Sequence, residues 1–259
     1  MRTRRFWIRE GLMTMALVLV TACGGSVTTS PPEPSGPASP TSPTETAPTR
    51  TAIPPPTPPV AGSEHIPAGG EIEPGTYHMY SGLWTPVTFT FEIAADGWVA
   101  ENGGQGPSKL PNPEDFSTEI GWAVVTVEAL FADPCGPNDP LPVGPSVEEF
   151  ITALRGLPGP VASDPVEITL DGYRGQYVDL VVPSGFDIDR CDPPGLGLQI
   201  WVDKPGGKYL VAQTHLAARV HVVDVEGERF IMSASIGNNA DPDHLAEFEA
   251  ILESIRFYP

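Results

Sequence analysis

The sequence predicts an α+β fold, a mostly antiparallel twisted sheet packed by two main helices. Three observations predict it. Short β-patterned runs recur through residues 67–259 with turn dipeptides between them, and only two segments carry helix-start chemistry. Strands and helices also lack the strict βαβ alternation that builds a parallel sheet.

The first strand run is Thr85 to Ala94, where Val87, Phe89, Phe91 and Ile93 fall on one face and threonines or Glu92 on the other. Period-two alternation of this kind reads as a half-buried strand. Asp96-Gly97 turns the chain into Trp98-Val99-Ala100. Gly121 to Phe131 is β-branched and nearly continuous, which reads as one central strand. Ile168 to Leu170, then Asp171-Gly172, then Gln176 to Val182 reads as a hairpin. Leu198–Val202, Tyr209–Gln213 and Val220–Val225 follow as strands, and Glu226-Gly227-Glu228 turns the last of them into Arg229–Ile236.

Ser146 with Glu149 three residues on forms a capping box before Phe150, Ile151 and Leu154, and Gly156 ends that helix. The second helix starts at Asp241 as N-cap with Pro242 behind it. Leu245, Phe248, Leu252 and Ile255 make its apolar stripe.

Ahead of this domain the composition changes. Arg2, Arg4, Arg5 and Arg9 precede the apolar stretch from Gly11 to Val20, and Val20-Thr21-Ala22-Cys23 follows. A basic region, a short apolar region and small residues at the cut describe a signal peptide over residues 1–22. The tetrapeptide resembles a bacterial lipobox, which assigns Cys23 as the lipidated residue. A transmembrane anchor needs about 20 apolar residues; the run between Glu10 and Cys23 has 12. Arg4-Arg5 with Phe6-Trp7-Ile8 leaves both the general and the twin-arginine export routes open.

Residues 23–66 read as a stalk. From Gly24 to Val60, 12 of 37 residues are Pro and 13 are Ser or Thr, with almost no large apolar side chains. Such a segment cannot bury enough surface to offset the entropy of ordering. Residues 67–259 read as a single globular domain.

Removing four Arg and Glu10 with the signal peptide from 14 basic and 33 acidic residues leaves 10 against 32, a formal charge of −22. Nucleic acid is excluded as a partner, because its binders need a cationic footprint. Anionic headgroups are repelled as well, so membrane contact rests on the acyl chains at Cys23.

With Cys23 acylated, Cys135 and Cys191 remain. An even remainder outside the cytoplasm reads as a disulfide. Zinc sites show closer spacing and neighbouring His or Cys, which this pair lacks.

Gly75-Thr76-Tyr77, Val87-Thr88-Phe89, Gly97-Trp98, Asp133-Pro134-Cys135-Gly136 and the helix Val147–Leu154 form one set of short motifs. Leu170 to Gly175 (LDGYRG), Cys191-Asp192, Gln199-Ile200-Trp201 and Ala250 to Ile255 (AILESI) complete it. Together they resemble a group of extracytoplasmic lipoprotein domains from high-GC Gram-positive bacteria, in which two cysteines recur at the corresponding places. The final helix followed by a short strand is similar to the Mog1/PsbP-like fold. That resemblance implies an adaptor or accessory module rather than an enzyme.

Motifs of chemistry are few. His-Glu-x-x-His, Gly-x-Ser-x-Gly and Ser-x-x-Lys are absent. His215 and His221 lie six apart in or beside strands, a spacing open to a metal pair but equally to packing residues. His244, in the first turn of the last helix, reads as exposed. Asp187, Asp189 and Asp192 around Arg190 lack the Gly and bidentate Glu of a calcium loop and read as a turn. Trp98 and Trp122 read as core. Tyr80 and Trp84, in a Gly/Pro-broken segment, are the candidates for a ligand cleft.

The combined expectation is a lipoprotein on the extracytoplasmic face of the membrane, without catalytic residues, metal or cofactor. Its domain binds a small ligand or an envelope protein. The alternative is a secreted wall-associated hydrolase using paired acidic residues.

Overall fold

The computed structural model describes residues 62–80, 82, 85–101, 104–136, 139–191, 198–203, 208–211 and 216–259. Cys23, the signal segment, most of the stalk, Trp84, Asp192 and His215 lie outside the described residues.

Strands β1 (Glu64–His65), β2 (Gly70–Ile72), β3 (Gly75–Met79), β4 (Thr88–Ile93), β5 (Trp98–Glu101) and β6 (Gly106–Lys109) open the fold. Next come β7 (Ile120–Val125), β8 (Val127–Phe131), β9 (Pro140–Pro142) and helix α1 (Val147–Arg155). They are followed by β10 (Val161–Ala162), β11 (Val166–Leu170), β12 (Tyr173–Val181), β13 (Leu198–Asp203) and β14 (Lys208–Val211). The long hairpin β15 (Leu216–Val225) and β16 (Glu228–Gly237), helix α2 (Pro242–Ser254) and β17 (Arg256–Tyr258) complete it. The architecture is α+β, and every described pairing except β1 with β3 is antiparallel.

A nine-stranded central sheet runs β10-β12-β15-β16-β7-β6-β5-β2, with β11 also paired to β12. Both of its faces are covered. One face carries Trp122, Val223, Phe230 and Met232 and packs on α2 and the sheet β1-β3-β4-β17 through Phe89, Phe91, Phe248 and Phe257. The other carries Val178, Leu180, Val220 and Val222 and packs on α1 through Phe150 and Leu154, with Trp201 of the sheet β14-β13-β8-β9 beside them. Two faces covered in this way make near-continuous apolar strands. Alternation is therefore muted in β7, where all six residues are buried.

The helices start where their caps dictate. The Ser146 hydroxyl accepts from the Glu149 N–H at 3.1 Å and the Glu149 carboxylate accepts from the Ser146 N–H at 3.1 Å, so both halves of the capping box form. Asp241 caps α2 by accepting from the Asp243 N–H. Both two-residue hairpin turns have positive φ at each central position, 47° and 86° at Asp171-Gly172 and 53° and 90° at Glu226-Gly227. That geometry matches strand twist, and it asks for glycine at the second place.

Three expectations are corrected. Gly121–Phe131 is not one strand: the chain leaves the central sheet at Thr126, and β8 joins β13 instead. Burial on both faces hides that switch in the sequence. The threonine face of β4, expected to be half solvated, holds Thr88 and Thr90 buried and only Glu92 exposed. The stalk drawn to residue 66 ends earlier, because β1 pairs with β3 and Ile66 is 1% exposed within the core. A chain beginning at Ala61 is expected to melt with the full chain. One beginning at Pro67 should lose about 3 kcal/mol by urea unfolding, the scale for deleting a buried isoleucine side chain.

Cys135 and Cys191 form a disulfide, with Cα atoms 4.4 Å apart. The strands that bring them together are β8 and β13. β8 pairs with β13, and Gln199 N–H donates to Pro134 C=O at 2.9 Å, so the chain just past β8 meets the start of β13. The bridge is well packed: Cys191 is 3% exposed, and Phe186 and Ile188 pack on the same core.

Candidate functional site

β12 and β15 set Tyr177 opposite His221 and Asp179 opposite Arg219. Alternate residues of a strand share a face, so Arg219 and His221 stand together on the side of the central sheet that α2 covers. α2 does not reach the β11 edge. Between them lies a cleft of about 360 Å³ walled by Ile168 to Asp171 from β11 and its turn, by Tyr177, Arg219 and His221 from the sheet, and by Glu249, Leu252 and Glu253 from α2.

Arg219 is fixed in this floor. Its Nε donates to Asp179 Oδ1 at 2.8 Å, its Nη2 to Asp179 Oδ2 at 3.3 Å and its Nη1 to Glu249 Oε1 at 3.2 Å. The guanidinium also stacks 4.6 Å from the Tyr177 ring centre. The hydrogen bonds to Asp179 raise the Arg219 pKa despite burial. A planar fork held by a carboxylate and an aromatic face is pre-set for further contacts.

His221 is 2% exposed and rests against Tyr177 and Phe248, with ring centres 5.4 Å and 6.3 Å away. Burial first, and the Arg219 charge second, lower its pKa from 6.5 to about 3. It is therefore neutral at physiological pH, and its buried Nδ1 has no hydrogen-bond partner among the described residues. Asp171, at the mouth, accepts from the Phe257 N–H at 2.9 Å and lies 3.8 Å from Arg256.

A smaller cleft of about 220 Å³ flanks α2 between Glu92, Trp98, Glu247 and Ser254. One of its two carboxylates is already occupied. Glu247 Oε2 accepts from Trp98 Nε1 at 3.0 Å and from Lys109 Nζ at 2.6 Å.

Most candidates named from the sequence fall elsewhere. Tyr80 is half-buried and packs on His78 and His65, with ring centres 4.5 Å and 5.8 Å away. It lines neither cleft flanking α2. His78 is buried, its pKa lowered by burial and by His65, and its Nδ1 lies 2.9 Å from the Ser63 hydroxyl. Trp98 and Trp122 are core, as expected, at 0% and 4% exposure. Asp187 and Asp189 belong to a single 3-10 turn, Ile188–Arg190, and Asp187 caps nothing. Among the described residues no group of three or more His, Cys, Asp or Glu is arranged to hold a metal ion. His244 is half-buried rather than exposed.

Arg219, Tyr177, Asp179 and Glu249 were not legible as a site. The available signal was Arg219-Val220-His221 inside the apolar run of β15, two polar residues at i and i+2 on a face that should be buried. No protein-family model matches the chain, and no curated protein matches its sequence.

Proposed function

We propose that the domain is a ligand-binding module of a lipoprotein carried on the outer face of the cytoplasmic membrane, and that the cleft beside α2 receives the ligand. The observation that carries this reading is a neutral, buried imidazole whose Nδ1 has no partner among the described residues, beside an arginine already oriented by two carboxylates. Buried polar groups are normally satisfied, and a ligand donor at His221 would satisfy this one. Proton transfer near neutral pH is a poor task for an imidazole whose pKa is about 3. Of the lining carboxylates, Glu249 is bound to Arg219 and Asp171 accepts from the Phe257 N–H, so binding suits the site better than hydrolysis by a free carboxylate pair.

Anchoring through Cys23 rests on the basic, apolar and small-residue order of residues 1–23. The motif resemblance and the α2–β17 ending support a Mog1/PsbP-like adaptor, a fold that carries many unrelated functions.

The test uses the isotope-labelled full chain in detergent, with separate pools of short peptides, amines and neutral oligosaccharides. Amide shifts at Tyr177, Arg219, His221 and Leu252 are expected with one of these pools, while wall polymer stays intact. Shifts only elsewhere, or release of reducing ends from wall polymer, would overturn the reading.

A further inference from the structure

The cleft opens onto a sheet edge. β11 pairs with β12 and with no other described strand. The hairpin register determines which of its backbone groups are free. A two-residue turn at Asp171-Gly172 makes Leu170 and Tyr173 a hydrogen-bonded pair, and such pairs recur at every second position. Ile168 with Gly175 and Val166 with Tyr177 are the next two. The N–H and C=O groups of Glu167 and Thr169 therefore point away from β12. Both residues are exposed.

Free edge groups template another strand, and sheets usually guard them with lysine, proline or a bulge. From Val166 to Leu170 there is no lysine or proline, and the pairing to β12 has no register shift. The side chains add to the exposure. Val166, Ile168 and Leu170 share the cleft face, graded from exposed through half-buried to buried. Val161 and Val181 form a cross-strand pair on that same face of the sheet. Among the described residues five large apolar side chains are exposed, and Val161, Val166 and Val181 are three of them. They cluster on the edge that the cleft opens onto.

Charge decides what kind of strand. The cleft is lined by Asp171, Glu249 and Glu253; the cations beside them are Arg219, which Asp179 and Glu249 already neutralise, and Arg256, 3.8 Å from Asp171, so carboxylates stay in excess. An acidic segment is repelled there, and a second copy of this chain would set the same carboxylates against each other. A lysine or arginine between two apolar residues fits both the carboxylates and the valine row.

We infer that the ligand of this cleft is an extended basic-apolar peptide that adds to β11 as a further strand of the central sheet. Main-chain hydrogen bonds to Glu167 and Thr169 hold it, and alternate side chains reach over the valine row toward Glu249 and Glu253. This rests on the cleft being the binding site, and it adds the ligand class and the mode of capture.

The experiment measures anisotropy of a fluorescein-labelled peptide, Val-Thr-Lys-Thr-Val-Thr, with the full chain in detergent. Three further peptides are compared: the same sequence with Glu for Lys, and two isomers N-methylated on alternate residues. Binding of the Lys peptide is expected to exceed that of the Glu peptide at least tenfold. One N-methyl isomer should bind like the parent and the other at least tenfold more weakly, because only one set of N–H groups faces β11. Thr169→Pro removes an N–H that β12 does not use, so it should leave the melting temperature within a few degrees and weaken the Lys peptide at least tenfold.

Equal binding of both N-methyl isomers, or unchanged binding to Thr169→Pro, would overturn strand addition. If Glu249→Gln with Glu253→Gln still abolished binding in that case, the peptide would occupy the cleft without pairing, and the cleft reading would survive alone. Failure of the Lys peptide to bind at millimolar concentration overturns the inference. Absence of shifts at Arg219 and His221 with every pool above removes the cleft reading as well.

Discussion

Replacing Cys135 and Cys191 together by alanine is expected to lower the unfolding free energy by roughly 4 kcal/mol, read from urea transitions. The crosslink spans a sequence separation of 56, and a closed loop of that size restricts the unfolded chain by about this amount in the loop-entropy account. Burial adds to the effect. Cys191 packs in the core behind α1 with Phe186 and Ile188, so Cys191→Ser should cost more than Cys191→Ala by leaving a hydroxyl in apolar surroundings. Equal stability of oxidised wild type and the double alanine variant would show that packing alone holds the two loops.

The second large effect is a pH dependence set by His221. In the unfolded chain its imidazole takes up a proton below about pH 6.5; in the folded chain it resists until about pH 3. Between those limits the unfolded state binds the extra proton, so stability falls as pH falls, by about 1.4 kcal/mol per unit. Above pH 6.5 this contribution is flat and fully present. Tyr177 and Phe248 pack on the ring, Arg219 reinforces the shift that burial begins, and Asp179 opposes it. Urea titrations of wild type and His221→Phe at pH 7.5, 5.5 and 4.5 isolate the effect, because the carboxylates common to both cancel in the difference. The gap in stability should change by about 3 kcal/mol across that range at most. A constant gap would place a counter-charge beside His221 that keeps its pKa near the ordinary value.

Local chemistry was legible wherever a few adjacent residues decide the outcome. Ser146 and Glu149 announced α1, Asp241-Pro242 announced α2, and Asp171-Gly172 and Glu226-Gly227 announced their hairpins, because caps and tight turns are satisfied within four residues. The sheet switch at Thr126 was not legible, since β7 and β8 are both β-patterned and differ only in which distant strand each meets. The candidate cleft failed for the same reason. Tyr177, Arg219 and Glu249 come from three elements, and only the register of β12 on β15 and the placement of α2 unite them. Tyr80 and Trp84 stand out by their broken local sequence, and Tyr80 instead completes an aromatic cluster with His78, two residues before it, and with His65, which the pairing of β1 on β3 brings alongside.

The order of strands constrains how this chain comes to be folded. β7 finds its partner in β16, so Ile120–Val125 waits for Ile231–Ile236, more than a hundred positions later. β4 waits longer still, for Arg256–Tyr258. Loop closure over such spans precedes any reward from the contacts it makes, which slows folding. The segment from β2 to β7 therefore has no complete sheet to settle into until almost the whole chain has been released. A polypeptide built this way can close only local pairings early, such as β3 on β4 and β5 on β6, and completes its two cores when the last hairpin and α2 arrive.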